Sequence, residues 1–240
     1  AQCKHPANHQ HGQGEQQVAH SHPVAGAAGG NAEAGAEEVG KGLIRQTNEA
    51  RILAAAERVF ARAGFGGATM AAIATAADLP KPNLHYYFGS KEQLYRAVLG
   101  RILRDWIVPT DVFQSDADPR TALGHYIRAK MALSAQRPDA SKVFANELLH
   151  GAPVIKDVLT TELREMVHTK AAVVQGWIDA GRMAPVDPTH LFFTIWAATQ
   201  TYADFDVQVA AVLGRRALGP KEHARATEHV VSLLLRGCGL

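Results

Sequence analysis

From residue 48 to the end of this 240-residue chain, apolar side chains recur at intervals of three and four, and nowhere do they alternate as a half-buried strand requires. That property restricts the fold to packed helices, an all-α chain. Ile52, Leu53, Ala56, Val59, Phe60 and Ala63 form the first stripe, with Thr47 placed to cap its start and Gly64 its end. Thr69 is placed to cap a short helix that turns Met70, Ile73 and Ala77 inward, and Asp78-Leu79 reads as a tight turn. A second short helix starts at Lys81-Pro82, tolerable because first-turn amides lack intrahelical partners, and Phe88-Gly89 ends it. Ser90 to Gln93 spells a capping box, from which Leu94, Val98, Ile102 and Trp106 continue one long helix towards Pro109. Further helices are expected over about 119–136, 138–150, 154–181, 188–213 and 220–236, punctuated by prolines.

Residues 1–42 carry no apolar period, only Gly, Ala, Gln, Glu and five of the twelve histidines, so a disordered tail is expected there. His5, His9, His11, His20 and His22 have no scaffold to fix a coordination geometry, and neither a metal nor a cofactor is expected. The remainder divides into a DNA-binding unit over 43–92 and a helical ligand-binding and dimerisation unit over 93–240.

Charge marks the first of these. The formal net charge is only +2, yet residues 43–104 hold nine Lys and Arg against four acids, while the segments on either side are slightly acidic. A local basic surplus is the footprint of a polyanion partner, because Lys and Arg facing phosphates displace condensed counterions. Two short helices joined by a tight turn and packed on a longer first helix are what a helix-turn-helix requires. Lys81, Asn83, His85, Tyr86 and Tyr87 crowd into seven positions of the second helix and offer both base-edge and phosphate chemistry. A plain three-helix bundle would instead use the tyrosines as core; Leu84 and Phe88 are the better core candidates. Lys91 follows the Ser90 cap at a helix start, where free amides already favour a phosphate. With Thr69, these six residues are the candidate DNA contacts.

Three stretches now carry a resemblance: Ala-Arg-Ile-Leu-Ala-Ala-Ala-Glu-Arg-Val-Phe (50–60), Gly-Phe-Gly-Gly-Ala-Thr-Met-Ala-Ala-Ile-Ala (64–74) and Asn-Leu-His-Tyr-Tyr-Phe-Gly-Ser-Lys-Glu-Gln-Leu (83–94). Over residues 47–100 the chain resembles the TetR family of one-component transcriptional regulators. The resemblance implies an N-terminal DNA-binding domain, an all-helical effector and dimerisation domain, and altered DNA binding when a small molecule enters. Asp78-Leu79-Pro80-Lys81-Pro82 departs from the usual Gly-Val-Ser type of turn, so no operator sequence carries over.

A narrower likeness covers about 100–213. Trp106-Ile-Val-Pro, the run from Phe144 to Pro153, Gly-Trp-Ile-Asp-Ala-Gly at 176–181, Ala184-Pro-Val-Asp-Pro and Ile195-Trp-Ala-Ala-Thr-Gln-Thr-Tyr-Ala-Asp-Phe are similar to RutR-type regulators of pyrimidine breakdown. The likeness implies uracil or thymine as effector, with Trp106, Trp196 and Gln200 on the positions such a pocket uses. Spacing agrees: Trp196, Gln200 and Asp204 at i, i+4 and i+8 share one helix face. A pyrimidine dione has adjacent carbonyl and N–H groups that complement a glutamine amide at two points. Tryptophans on helices also serve as core, and Tyr202 and Asp204 suit either site support or polar surface. Glu147 and His150 suit a solvated face equally and are left out of the site.

Apolar residues on the last two expected helices (Leu191, Phe192, Ile195, Val207; Val230, Val231, Leu234, Leu235) exceed what one face hides, which points to a homodimer on a palindromic double-stranded operator. Enzyme motifs such as His-Glu-x-x-His, Gly-x-Ser-x-Gly or a phosphate-binding glycine loop do not occur, and no enzymatic activity is expected. Cys3 and Cys238, without partner spacing, suggest a reducing cytoplasm; no secretory signal and no membrane span is expected.

Overall fold

The computed structural model describes the backbone from residue 30 and side chains from residue 42. Helix α1 spans Gly30–Gly67. Most of the expected tail, and all five of its histidines, lie outside the described residues. From Gly30 onward the backbone is helical, which corrects the expected start: Thr47 is an interior helix residue, not a cap. Residues 30–46 lack an apolar stripe; their three alanines and three glutamates favour a helix, while Gly30, Gly35, Gly40 and Gly42 oppose it. Contacts divide the chain into a unit ending at Ile44 and a unit from Arg45 to Leu240, and the second unit holds the buried core.

Gly64 interrupts α1 with φ +66°, a conformation glycine adopts without penalty, and so ends the regular helix where expected. Helix α2 (Met70–Ala77) is capped by Thr69, whose Oγ1 accepts from the Ala72 amide at 3.1 Å. Asp78, left-handed at φ +52°, turns the chain, and α3 (Lys81–Phe88) follows with Pro82 in its first turn. Ser90 and Gln93 form the reciprocal capping box of α4 (Lys91–Ile107). A 3₁₀ turn, Val108–Val112, absorbs Pro109. Helices α5 (Pro119–Gln136) and α6 (Pro138–Leu149) match the expected limits closely.

Two of the expected helices are broken. The stretch 154–181 resolves into α7 (Lys156–Val158), a π-helical turn (Leu159–Leu163) and α8 (Arg164–Asp179); Gly151 and Ala152, both at positive φ, delay its start. Residues 188–213 divide at Phe205 into α9 (Pro188–Asp204) and α10 (Asp206–Val212). At the break Asp206 accepts from the adjacent Val207 amide at 2.9 Å and is held by Lys142 at 2.8 Å. Helix α11 (Pro220–Gly237) closes the fold. Among the described residues there are no strands.

Two buried clusters form. The first joins Ile52, Phe60, Ile73, Leu84, Leu94 and Leu99 of α1–α4 to Val143 and Phe144 of α6. The second gathers Phe113, Tyr126 and Ile127, Trp177, Phe192 and Ile195, and Val231 and Leu235 around α5, which packs on α9 and α11. This revises the expected self-association face. Leu191, Phe192, Ile195, Val230, Val231 and Leu235 are spent on the second core, and the large apolar residues left outward from α9 to α11 are Phe193, Phe205, Val207, Val212, Leu213 and Leu233.

Candidate nucleic-acid interface and ligand cavity

Helix α3 is fixed from below. Leu84 is fully buried, and the Asn48 side-chain amide on α1 donates to the Tyr87 hydroxyl at 3.2 Å. Arg51 on α1 donates to the carbonyls of Ala77 and Asp78 at 3.0 and 3.3 Å, satisfying acceptors that the end of α2 leaves open. The turn between the two short helices is thereby tied to α1. On the outer side, Lys81, His85 and Tyr86 are exposed, Tyr86 at 75%, and its ring meets Tyr87 edge-on at 5.3 Å. His85 donates from Nδ1 to the Gly89 carbonyl at 2.8 Å, which leaves Nε2 outward. Asn83 and Tyr87 are half-buried at the rim of the same face, and Thr69 lies at the start of α2.

Lys91 is placed differently. Its ammonium donates to the carbonyls of Phe65 and Ala68 at 2.8 and 3.1 Å and stands 4.4 Å over the Phe65 ring, so it secures the α1–α2 junction and retains one proton for an outside partner. Part of the basic surplus in this segment therefore serves main-chain carbonyls.

The second site lies where the two buried clusters meet. A small cavity of about 70 Å³ is lined by Leu103, Trp106, Phe144 and Leu148 on one side and by Tyr126, Lys130, Met166, Trp196 and Gln200 on the other. All three residues expected at an effector pocket are brought together here. Trp106 is propped edge-on by Phe144 at 4.7 Å. Trp196 is fixed by donating its indole N–H to the Tyr126 hydroxyl at 2.8 Å. Burial pushes the Tyr126 phenol up to about 12, with the bond from Trp196 opposing, so its own proton stays on and is free to turn inward. Gln200 makes no hydrogen bond to any described residue, so an amide is presented unpaired at the cavity wall.

Lys130 was not among the expected residues. Only 2% exposed, its ammonium stands 4.1 Å over the Trp106 ring and has neither a hydrogen bond nor an ion pair among the described residues. Burial drives it down to about 7, and the charge of Asp204 partly offsets this. Its one sequence signal is a lysine inside the apolar stripe of α5, beside Tyr126, Ile127 and Met131. Asp204 lies outside the cavity: its carboxylate accepts from the Ser141 hydroxyl, and burial raises it. Of the residues left open, Asp204 therefore supports Lys130 electrostatically, whereas Tyr202 lines a separate, wide groove on α9–α11. Glu147 is buried and accepts from the Val154 and Ile155 amides at 2.6 and 3.3 Å, an organiser of the α6–α7 connection.

An ion cluster connects this cavity to α1. Arg137, between α5 and α6, binds the carboxylate of Glu57 on α1 at 2.6 Å and that of Asp105, the neighbour of Trp106, on α4. Among the described residues no cluster of His, Cys, Asp or Glu suits a metal, and no helix is long and apolar enough to cross a membrane.

Comparison with known proteins agrees with this layout. The model described as "Bacterial regulatory proteins, tetR family" matches residues 52–98, and that described as "YcdC-like protein, C-terminal region" matches residues 99–240. The HTH-type transcriptional regulator RutR of Escherichia coli (strain K12) is 43% identical over 186 residues, 78% of this chain and 88% of that protein. The HTH-type transcriptional repressor NicS of Pseudomonas putida is 30% identical over 132 residues, 55% of this chain and 61% of that protein. Among solved structures, a TetR-like transcriptional regulator from a Rhodococcus species superposes with a TM-score of 0.56 at 23% identity, over 79% of this chain and 94% of that one. The TetR family regulator PfmR of Thermus thermophilus gives 0.60 at 20% identity, over 78% and 97%. At that identity the likeness concerns the fold alone.

Proposed function

The chain belongs to the TetR family of bacterial regulatory proteins, and from that premise we propose that it is a transcriptional regulator whose DNA affinity is set by a pyrimidine dione, uracil or thymine, held between Trp106 and Trp196. The observation that carries this reading is the convergence of two indoles and an unpaired amide on one small cavity. Aromatic walls suit a flat ring, whose adjacent carbonyl and N–H complement the amide of Gln200 at two points. The similarity to RutR supports the same effector class.

The DNA contacts in this reading are Lys81, Asn83, His85, Tyr86 and Tyr87 on α3, Thr69 at the start of α2, and the remaining proton of Lys91. The protein acts as a homodimer, with the outward Phe193, Val207, Val212, Leu213 and Leu233 supplying the apolar face, so that two copies of α3 meet a palindromic operator one helical turn apart. It is a regulator and not an enzyme. A ligand changes DNA affinity only through differential affinity for two arrangements of the protein. Here the ligand touches Trp106, the next residue Asp105 is tied to Arg137, and Arg137 holds Glu57 on the helix that seats α3. A shift of α4 on effector binding is thereby passed to the DNA reader.

Gln200→Ala tests the division of labour. Operator binding should persist while the response to uracil disappears; loss of both together would contradict the assignment.

A further inference from the structure

Resting on the reading of this cavity as an effector site, we propose that Lys130, and not Gln200, decides which ring is admitted: an exocyclic oxygen must face its ammonium, and rings that place an amino group there are rejected.

The other polar groups of the cavity impose no such choice. The amide of Gln200 can rotate end for end and present either its carbonyl or its NH₂, so it reads a lactam edge and an aminated edge equally well. The Tyr126 hydroxyl accepts from Trp196 and keeps a rotatable proton, which follows its partner. Lys130 imposes a polarity while it is protonated, because an ammonium has donors and no acceptor, whereas the neutral amine also carries a lone pair.

Its placement makes the demand strict. Nothing among the described residues accepts a hydrogen bond from it, and the electron-rich face of Trp106 is its only close partner there. At 2% exposure only water inside the cavity could stand in for an acceptor, and a ring that displaces that water must supply the acceptor itself. A carbonyl oxygen of a pyrimidine dione would complete its shell. An exocyclic amino group at that position would set donor against donor and leave both unsatisfied. Sites built around such a bond reject the analogue that lacks it by factors of roughly 100 and more.

The same geometry links binding to protons. The charged group facing Lys130 from α9 is Asp204, itself joined by Ser141 and Lys142 of α6; α4 contributes the Trp106 ring and α5 the neutral Tyr126 phenol. Burial brings the free amine to about 7, so ligand binding must capture the protonated form. Affinity for a dione is then constant below about pH 7 and falls roughly tenfold per pH unit above it, until the pKa of the liganded amine is reached.

The test is titration of the full chain with uracil and with 2-aminopyrimidine, a flat ring that carries an exocyclic amino group and no exocyclic oxygen to turn towards Lys130, followed calorimetrically from about pH 6 to 8.5, for the unmodified protein, Lys130→Met and Gln200→Ala. The unmodified chain should prefer uracil by roughly 100-fold or more and show the alkaline decline. Lys130→Met should weaken uracil at least about tenfold, reduce the preference to within a few-fold, and remove the pH dependence. Retention of the preference by Lys130→Met, or a flat pH profile in the unmodified chain, overturns the role of Lys130 while the effector site stands. If uracil bound neither the unmodified chain nor any variant, site and inference would fall together. Should Lys130→Met not fold, Lys130→Gln, whose amide accepts as well as donates, should lose the preference instead, and its retention would overturn the role of Lys130.

Discussion

Replacing Arg137 by Met should separate folding from signalling in a measurable way. The guanidinium is 26% exposed and bridges two carboxylates of unequal environment: Glu57 is 12% exposed and Asp105 is 40% exposed. Without its partner, Glu57 keeps a desolvated charge, at a cost of about 2–3 kcal/mol, whereas the better solvated Asp105 loses under about 1 kcal/mol. A total near 3 kcal/mol corresponds to a fall in Tm of roughly 6–12 °C for a chain of this size. Glu57→Gln alone should cost about 1–2 kcal/mol, since Arg137 keeps Asp105. The double variant should be less destabilised than the sum by about 1–2 kcal/mol, because the charge stranded by one substitution is removed by the other. Urea unfolding followed by helical circular dichroism gives the cycle directly. In the same variant, uracil affinity read by tryptophan fluorescence should stay within about two-fold, while the effect of uracil on operator affinity shrinks. Single-variant costs that added to within about 0.5 kcal/mol would refute the triad as a coupled unit, and an undiminished uracil effect would refute it as the connection to α1.

Three other outcomes rest on the same geometry. The unfolded chain holds the Lys130 proton up to about pH 10.5 and the native one sheds it near 7, so the unfolded state binds more protons between these values and stability should climb with pH across that window, by up to roughly 4 kcal/mol. Lys130→Met should flatten this climb and be more stable than the parent at about pH 7, as measured by denaturant midpoints across pH. Tyr86→Ala, at an exposed position, should leave stability within about 0.5 kcal/mol but weaken operator binding about tenfold or more, whereas Lys81→Ala should weaken all duplexes alike and lower the salt slope by about one. Gly89→Ala should cost at least about 1–2 kcal/mol in thermal unfolding, because φ is +63° there and the new Cβ would stand 2.3 Å from the Gln93 Oε1 that caps α4.

Much of the fold could be read from short-range chemistry. The Thr69 cap, the Asp78 turn, the Ser90–Gln93 box and the exit at Gly64 each depend on residues within a few positions of one another, and each is in place. Trp196 and Gln200 were legible for the same reason, being one turn apart on α9. What escaped depends on packing between distant segments. Periodicity treats a lysine as outward, so nothing local to Lys130 shows that α4 lays Trp106 across it. Lys91 reads as a phosphate contact and Arg51 as one charge of the basic surplus, yet each is aimed at carbonyls 23–27 positions away. The outward apolar face of α9–α11 was misassigned because a stripe reveals its period but not which neighbour covers it. The onset of α1 upstream of Thr47 lies in a segment without any stripe to mark it.

The central claim is that one chain reads duplex DNA through α3 and senses a planar dione through the cavity at Trp106, Trp196 and Gln200. Selection of bound duplexes from a random pool, run in parallel with and without uracil, tests both halves at once. Enrichment of a palindromic sequence that uracil alters is expected, and an enrichment that uracil leaves unchanged in Gln200→Ala. Failure to enrich any duplex at low salt, or a palindrome whose recovery from the unmodified protein is indifferent to uracil, would contradict the central claim.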